Sequence, residues 1–587
     1  MTLISCRGIQ QSFGELSVLR QINVDIADQE RIGLVGMNGS GKTTLANIIM
    51  GSLKPDGGTV LRHSKQLRIG YLLQSTSYTQ HTFHSMVETD DSSRDGERFL
   101  EFSSHLGLKK VQEWSADRIA GLSGGEKTKL AIAHICASKP DLLILDEPTN
   151  HLDFQGVEWL IHELKTYDAA MLIISHDRYF LDHTVERIVE LEDGNSYDYP
   201  GHYTWYREEK ARRFQSQLHQ YEEQKKYEQK IEMEINRLKN WSSKAHREAG
   251  KVGKMAEMRA GVKEFYRSKA KKMDQQVKSR IKRLEKIEIE GVKKPKEEAK
   301  VQFDWRSPDK RGRRIVEADR ITKSFGEKLL FRDSSFYIQR GEKIGLLGPN
   351  GCGKTTLIRM IMNKETADAG QIWVSPTARI AYLTQDVMDL EPERTVLELL
   401  AKTHDVRADA GRARTLLANM GFEEEMLKKP IKNLSLGERT RIKLSGLIMQ
   451  EQDLLILDEP TNHLDLTSRE QLEETLASYG GTLLVVSHDR YFLEKTCEKL
   501  LIFAEGKISK FESGFQAYME KLEQEKSAPS SGKAQLQEQR MIIENRLAFV
   551  IGELSRYMPG DPQYEALDLE FKELMLEKKK LVERKLT

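Results

Sequence analysis

Gly36-Met-Asn-Gly-Ser-Gly-Lys42-Thr43 is a glycine-rich run ending in a lysine and a hydroxyl residue, directly after the apolar stretch Arg31-Ile-Gly-Leu-Val35. A strand that turns through such a run into a helix presents backbone N–H groups and the positive end of the helix dipole to a phosphate. In this reading Gly36, Asn38, Gly39, Ser40, Gly41, Lys42, Thr43 and Thr44 form a phosphate cradle. Lys42 neutralises β- and γ-phosphate charge, and the Thr43 hydroxyl holds Mg2+. The run recurs after Lys343-Ile-Gly-Leu-Leu347, where Gly348, Asn350, Gly351, Cys352, Gly353, Lys354, Thr355 and Thr356 form a second cradle.

Working outward, the same series follows each copy. Leu122-Ser-Gly-Gly-Glu126 returns as Leu434-Ser-Leu-Gly-Glu438, and Leu145-Asp-Glu-Pro-Thr-Asn-His-Leu-Asp153 returns unchanged from Leu457 to Asp465. Ser175-His-Asp-Arg-Tyr-Phe-Leu181 returns from Ser487 to Leu493. Lys42 and Lys354, Ser123 and Ser435, Glu147 and Glu459, and His176 and His488 are all 312 residues apart. Equal offsets over such distances mean two copies of one α/β domain.

The repeated residues suit hydrolysis of a nucleoside triphosphate. Asp146 and Asp458 close an apolar strand and can hold Mg2+ through water, while Glu147 and Glu459 are placed to orient and deprotonate the attacking water. His176 and His488 are suited to contact a γ-phosphate. Gln74 and Gln385 end their strands at positions suited to Mg2+ or the lytic water. Phe13 and Phe325, each in a Ser-Phe-Gly turn, either stack on a purine or join the core.

A chain of 587 residues exceeds one core. No apolar run approaches the ~18 residues of a membrane span, and the start lacks the pattern of a signal peptide. Cys6, Cys136, Cys352 and Cys497 lack metal or disulfide spacing, so a reducing cytoplasmic setting is expected. The net charge of +1 hides an asymmetry: Trp241 to Arg283 holds 14 Lys/Arg against 4 Asp/Glu. Such segregation points to a polyanionic partner at 241–283.

That basic segment lies between the two copies. Apolar residues at Phe214, Leu218, Tyr221, Ile231, Ile235, Leu238 and Trp241, then at Met273, Val277, Ile281, Leu284 and Ile287, mark two amphipathic helices. The glycine-bearing stretch from Ser242 to Arg267 reads as the tip of an antiparallel hairpin. A second hairpin is expected beyond Ser527-Ala-Pro-Ser-Ser-Gly532. Both are also compatible with solvated coiled coils that merely space domains. The expected division is therefore 1–205, first nucleotide-binding domain; 206–305, helical linker; 306–525, second nucleotide-binding domain; and 526–587, C-terminal coiled coil.

Leu-Ser-Gly-Gly-Glu distinguishes these domains from other P-loop ATPases. The chain resembles ATP-binding cassette proteins over roughly residues 1–205 and 313–520. That resemblance implies an intramolecular pair in which Ser123 and Gly125 of one cassette, and Ser435 and Gly437 of the other, cap the γ-phosphate held by the opposite P-loop. Leu436 replaces the first glycine of the second copy. Two cassettes, a helical linker and the doubled Glu-Pro-Thr-Asn-His-Leu-Asp and Ser-His-Asp-Arg-Tyr-Phe-Leu resemble the ABC-F translation factors, and among them the antibiotic-resistance members of Gram-positive bacteria. The resemblance implies a cytoplasmic monomer using ATP and Mg2+. It also implies binding in the E site of the 70S ribosome, with the linker reaching 23S rRNA and the P-site tRNA near the peptidyl-transferase centre. Trp241, Phe265 and Tyr266 could stack there on bases. The drugs implied are lincosamides, streptogramins A and pleuromutilins. A housekeeping factor for stalled ribosomes shares these features, and a transporter subunit or a DNA-processing ATPase shares the cassettes alone.

Overall fold

The computed structural model describes residues 1–72, 98, 99, 102, 103, 108, 111, 114, 118, 122, 124–150, 152–252, 260–294, 314–326, 328–383, 391–403, 410–422, 424–450, 452–462, 464–527 and 575. The side chains of 249–252, 260–263, 266, 400–403, 410 and 525–527 fall outside the description. Gln74, Gln385, Ser123, the linker stretch 253–259 and most of 526–587 lie outside the described residues. The chain divides into two compact units, Met1–Glu512 and Ser513–Thr587.

In the first cassette the elements are β1 (Thr2–Phe13), β2 (Leu16–Ala27), β3 (Arg31–Gly36), α1 (Lys42–Met50), β4 (Gly57–Arg62), β5 (Ile69–Leu72), α2 (Gly124–Ala137), β6 (Leu142–Asp146), α3 (Phe154–Thr166), β7 (Ala170–Ile174), α4 (Arg178–Thr184), β8 (Arg187–Glu192) and β9 (Asn195–Pro200). β5, β6, β7, β3 and β8 run parallel in that order, and β9, antiparallel to β8, joins them to β2, β1 and β4 in one nine-stranded sheet. All five residues of β6 and all five of β7 are buried. That is why both read as unbroken apolar runs rather than alternating ones.

The second cassette repeats the plan with β10 (Arg314–Phe325), β11 (Lys328–Gln339), β12 (Lys343–Leu347), α7 (Lys354–Ile361), β13 (Ala369–Val374), β14 (Ile380–Leu383), α8 (Val396–Thr403), α9 (Ala410–Asn419), α10 (Leu436–Met449), β15 (Leu454–Asp458), α11 (Leu466–Ala477), β16 (Thr482–Val486), α12 (Arg490–Thr496), β17 (Lys499–Ala504) and β18 (Lys507–Phe511). Its sheet order, β14-β15-β16-β12-β17-β18, matches the first. In both, the P-loop strand (β3 or β12) lies between two strands that are consecutive in the chain (β7 and β8, or β16 and β17), and its phosphate loop leaves at the carboxyl end, where open α/β sheets bind ligands.

The linker helices are α5 (Tyr203–Val252) and α6 (Ala260–Glu290). Ile231, Ile235 and Val277 are buried in their seam, flanked by Leu238, Ile281, Leu284 and Ile287. Two departures from the sequence reading stand out. Helix continues from Ser242 to Val252 and resumes at Ala260, well inside the stretch read as a tip. The Ala, Lys, Arg and Glu residues there are good helix formers. The pairing also persists outward, since Ser242 Oγ donates to Asp274 at 2.7 Å. Trp241 is not a seam residue: it is 48% exposed, with the Arg237 guanidinium over its ring.

α13 (Phe515–Ser527) belongs to the second unit. Among the described residues no helix is long and apolar enough to cross a membrane. All four cysteines are free thiols.

Candidate active site

Each phosphate loop leaves its strand through glycines whose conformation other residues rarely adopt. Gly41 has φ 94°, and a Cβ there would sit 2.5 Å from Leu19. Gly353 is its counterpart at φ 106°. These two cap the N-termini of α1 and α7. Lys42 Nζ donates to the carbonyls of Gly36 (2.8 Å) and Met37 (2.9 Å), which folds its ammonium over the loop. Lys354 does the same to Gly348 (2.7 Å) and Pro349 (3.1 Å). Burial pulls the Lys42 ammonium below its ordinary range, against the nearby Glu147, Asp465 and Asp146 carboxylates.

Beside each lysine stands the acidic pair. Thr43 Oγ1 donates to Asp146 Oδ2 at 2.8 Å, and Thr355 stands near enough to Asp458 to favour its charged form. Thus the hydroxyl and carboxylate read as Mg2+ holders are adjacent. Two tyrosines that sequence reasoning missed complete this corner. Tyr382 OH donates to Asp458 Oδ2 at 3.0 Å, and Tyr71 stands near enough to Asp146 to favour its charged form. Their signal was present, because Ile69-Gly-Tyr-Leu72 and Ile380-Ala-Tyr-Leu383 are parallel strands beside β6 and β15.

Glu147 and Glu459 adopt left-handed backbone at φ 52° and 50°, a strained state that persists only where the surroundings hold it. Here Glu147 N–H donates to Ile174 O at 2.8 Å and Glu459 N–H to Val486 O at 2.9 Å. The turn directs each carboxylate at the histidine after the neighbouring strand. His176 N–H donates to Glu147 Oε2 at 3.4 Å, and His176 Nε2 lies 3.4 Å from Glu147 Oε1. The second pair repeats this at 3.4 and 3.6 Å. Burial, the largest cause, pushes the Glu147 carboxyl up to about 7 and Glu459 up to about 8. Burial also lowers His488 to about 4 and draws His176 well below its ordinary value, which favours the neutral imidazole in both.

Asp146 Oδ1, Ser40 Oγ, Glu147 Oε1 and Glu459 Oε1 are buried without a hydrogen-bond partner among the described residues. In the first site the Asp146, Ser40 and Glu147 oxygens, with Thr43, form an oxygen-rich set that fits a hydrated divalent cation, while Glu459 belongs to the second site. Phe13 and Phe325 are 52% and 51% exposed, so neither belongs to the core. Of the signature residues, Ser435 caps α10 through a reciprocal bond set with Glu438, Gly437 is buried beside it, and Leu436 is 38% exposed. Gly125 lies in the first turn of α2.

The two cassettes meet at these motifs. Asn38 N–H donates to Asp465 Oδ2 at 2.9 Å, and Asn350 N–H donates to Asp153 Oδ2 at 3.1 Å. Each phosphate loop is therefore held by an aspartate of the other cassette. Leu466 of α11 packs into the first cassette's core, while Phe154, its counterpart, sets its ring edge against His488 at 5.5 Å. The sequence reading had the Asn-His-Leu-Asp repeat in view but gave Asp153 and Asp465 no part in the site.

Comparison with known proteins agrees with this geometry. An ABC transporter family profile matches residues 19–150 and 331–462, and a second with the same description matches 189–265. The chain is 40% identical over 575 residues to the ribosome protection protein VmlR of Bacillus subtilis, spanning 97% of each chain. It is 32% identical to ABC transporter F family member 5 of Arabidopsis thaliana, spanning 91% of this chain and 80% of that one. In fold it is similar to an archaeal ribosome recycling factor, aABCE1, solved with the ribosomal stalk protein aP1. The TM-score is 0.57 at 19% identity, covering 88% of this chain and 92% of that one. Two cassettes, each with a phosphate loop, an Asp-Glu pair and a histidine, on a chain so similar throughout its length to these proteins, place it in the ABC-F family of ATP-binding cassette ATPases.

Proposed function

We propose that this chain is an ATP-gated ribosome-protection factor. The observation that carries the reading is likeness to VmlR over 97% of both chains, linker included. The basic linker supports it: 14 Lys/Arg between Trp241 and Arg283 suit the phosphates of rRNA. Exposed Trp241 and Phe265 beside that charge suit stacking on unpaired bases.

In the mechanism, the P-loop amides and Lys42 or Lys354 bind the triphosphate of ATP, and the Asp465 and Asp153 contacts draw the opposite cassette onto it. Thr43 and Asp146, or Thr355 and Asp458, would hold Mg2+, which neutralises phosphate charge when bound. Glu147 and Glu459 accept the proton of the water that attacks the γ-phosphorus, releasing ADP and phosphate. Neutral His176 and His488 orient those carboxylates. Ser123 with Gly125, and Ser435 with Gly437, cap the phosphate across the interface, while Gln74 and Gln385 position the water or the metal. Phe13 and Phe325 stack on the adenines.

Closed around two ATP molecules, the cytoplasmic monomer binds the E site of the 70S ribosome. Its linker reaches 23S rRNA and the P-site tRNA, displacing lincosamides, streptogramins A or pleuromutilins, and hydrolysis releases it. In this scheme 1–205 and 306–525 are the cassettes, 206–305 the ribosome-contacting linker and 526–587 a coiled coil. The test is co-sedimentation of the Glu147→Gln/Glu459→Gln variant with 70S ribosomes. Binding that requires ATP is expected, and absence of binding in either condition sinks the mechanism. Unchanged drug sensitivity in a deletion strain would leave a housekeeping translation factor as the better reading.

A further inference from the structure

The two cassettes are copies, but their interface is not symmetric. The 312-residue offset matches Asp153 to Asp465, Glu158 to Glu470, and Arg178 to Arg490. It matches Val157 to Arg469 and Ile161 to Glu473. On α11, therefore, the second cassette carries two charges where α3 of the first carries aliphatic residues.

Both charges are buried and engaged. Arg469, 8% exposed, donates from Nη1 to the carbonyl of His176 in the first cassette at 2.9 Å. The same nitrogen donates to Asp489 Oδ2 at 3.3 Å, and Nε is anchored on Leu464 O at 3.1 Å. Glu473, 1% exposed, pairs with Arg178 of the first cassette, whose Nη2 also reaches Asp489 Oδ1 at 3.4 Å. Lys495 stands 3.7 Å from Glu473.

The position of Arg469 has a consequence for chemistry. His176 N–H donates to Glu147. Asp489 directly follows His488, whose N–H donates to Glu459. One guanidinium thus ties the histidine segment of the first site to that of the second. The reciprocal tie, from the first cassette to the His488 carbonyl, would need a donor at Val157, which has none.

We infer that Arg469 is a positioning residue for hydrolysis at the Glu147 site, holding the His176 segment only when the second cassette's Asp489–His488 segment is in place. The two ATP sites are then inequivalent by construction: a guanidinium of the other cassette holds the His176 carbonyl, whereas the first cassette meets the His488–Asp489 segment through the Phe154 ring and Arg178. This rests on the reading of Glu147 and Glu459 as the two bases.

The experiment measures first-turnover phosphate formation at saturating ATP and Mg2+ in the full-length chain. Glu459→Gln leaves the Glu147 site alone, and Glu147→Gln leaves the Glu459 site alone. Arg469→Met, which removes the donor but keeps the bulk, is expected to slow the Glu147 site at least tenfold and the Glu459 site less than threefold. Arg469→Lys should bring the Glu147 site back to within threefold. Arg469→Gln retains one donor for the His176 carbonyl, and it must slow the Glu147 site by less than Arg469→Met does. It serves as the decisive variant if Arg469→Met does not fold. Equal slowing at both sites, or slowing at neither, overturns the inference and leaves the glutamate assignment standing. Full hydrolysis by the Glu147→Gln/Glu459→Gln variant overturns both.

Discussion

Asp465 bonds two partners at once: one carboxylate oxygen accepts from Asn38 N–H in the other cassette at 2.9 Å, and the other accepts from Ser468 N–H at 2.8 Å. The first bond holds a phosphate loop; the second caps α11. An asparagine has one acceptor oxygen and cannot serve both. Asp465→Asn should therefore lower steady-state ATP hydrolysis several-fold with little change in melting temperature. Asp465→Ala should lose the cap as well, about 1 kcal/mol, visible in calorimetry as a further fall in the melting temperature.

The Thr43–Asp146 bond of 2.8 Å sets a second expectation. Thr43→Val keeps the shape but removes the hydroxyl, so the Mg2+ concentration for half-maximal hydrolysis should rise at least tenfold. Thr43→Ser should stay within about threefold. A titration of Mg2+ at fixed ATP distinguishes them.

Arg178 and Glu473 form a buried pair across the interface. Removing one partner leaves the other charge buried, so Glu473→Ala should cost about 3 kcal/mol and lower the melting temperature by several degrees. Arg178→Met/Glu473→Met together should cost much less than Glu473→Ala alone. A double-mutant cycle read by thermal unfolding measures the difference.

Glu342 gives a pH-dependent expectation. It is 7% exposed and accepts from Gln339 N–H (2.8 Å), Lys499 (2.9 Å) and Lys510 (3.0 Å). Burial raises its carboxyl, but these bonds outweigh burial and hold it below the ordinary value of 4.5. A lowered folded value means stability that is present above the unfolded value and lost as pH falls through the folded one. Glu342→Gln should lose about 1–2 kcal/mol at pH 7. Its melting temperature should converge with that of the unaltered chain as pH drops below about 4.

The sequence made the two-cassette fold legible because phosphate binding is local. A loop wrapping an anion needs glycines and a lysine at fixed spacing, and the parallel strands around it are buried runs with nothing else to mimic them. Less could be read where function depends on what one copy presents to the other. Asp465 and Arg469 lie on the outer surface of their own domain, where helical periodicity carries no instruction about a partner. Val157 against Arg469 was visible in the duplicated sequence, yet only the packing of α11 on the His176 segment gives the difference meaning. Trp241 was misplaced for a related reason: a period of three or four puts a ring on the seam, whereas a guanidinium from Arg237 at 4.5 Å keeps it at the surface.

The root of α5 is fastened twice. Tyr203 and Tyr206 sit in the first cassette's core, and Tyr206 OH donates to Glu190 at 2.7 Å. One residue further, Arg207 pairs with Glu470 on the second cassette's α11. From Tyr203 the helix runs 50 residues, about 75 Å at 1.5 Å per residue. It is a lever with its fulcrum where the two cassettes touch. A swing of about 5° at that fulcrum would carry the far end about 6 Å, so an ångström-scale adjustment between the domains becomes a displacement the size of a nucleobase at the other end.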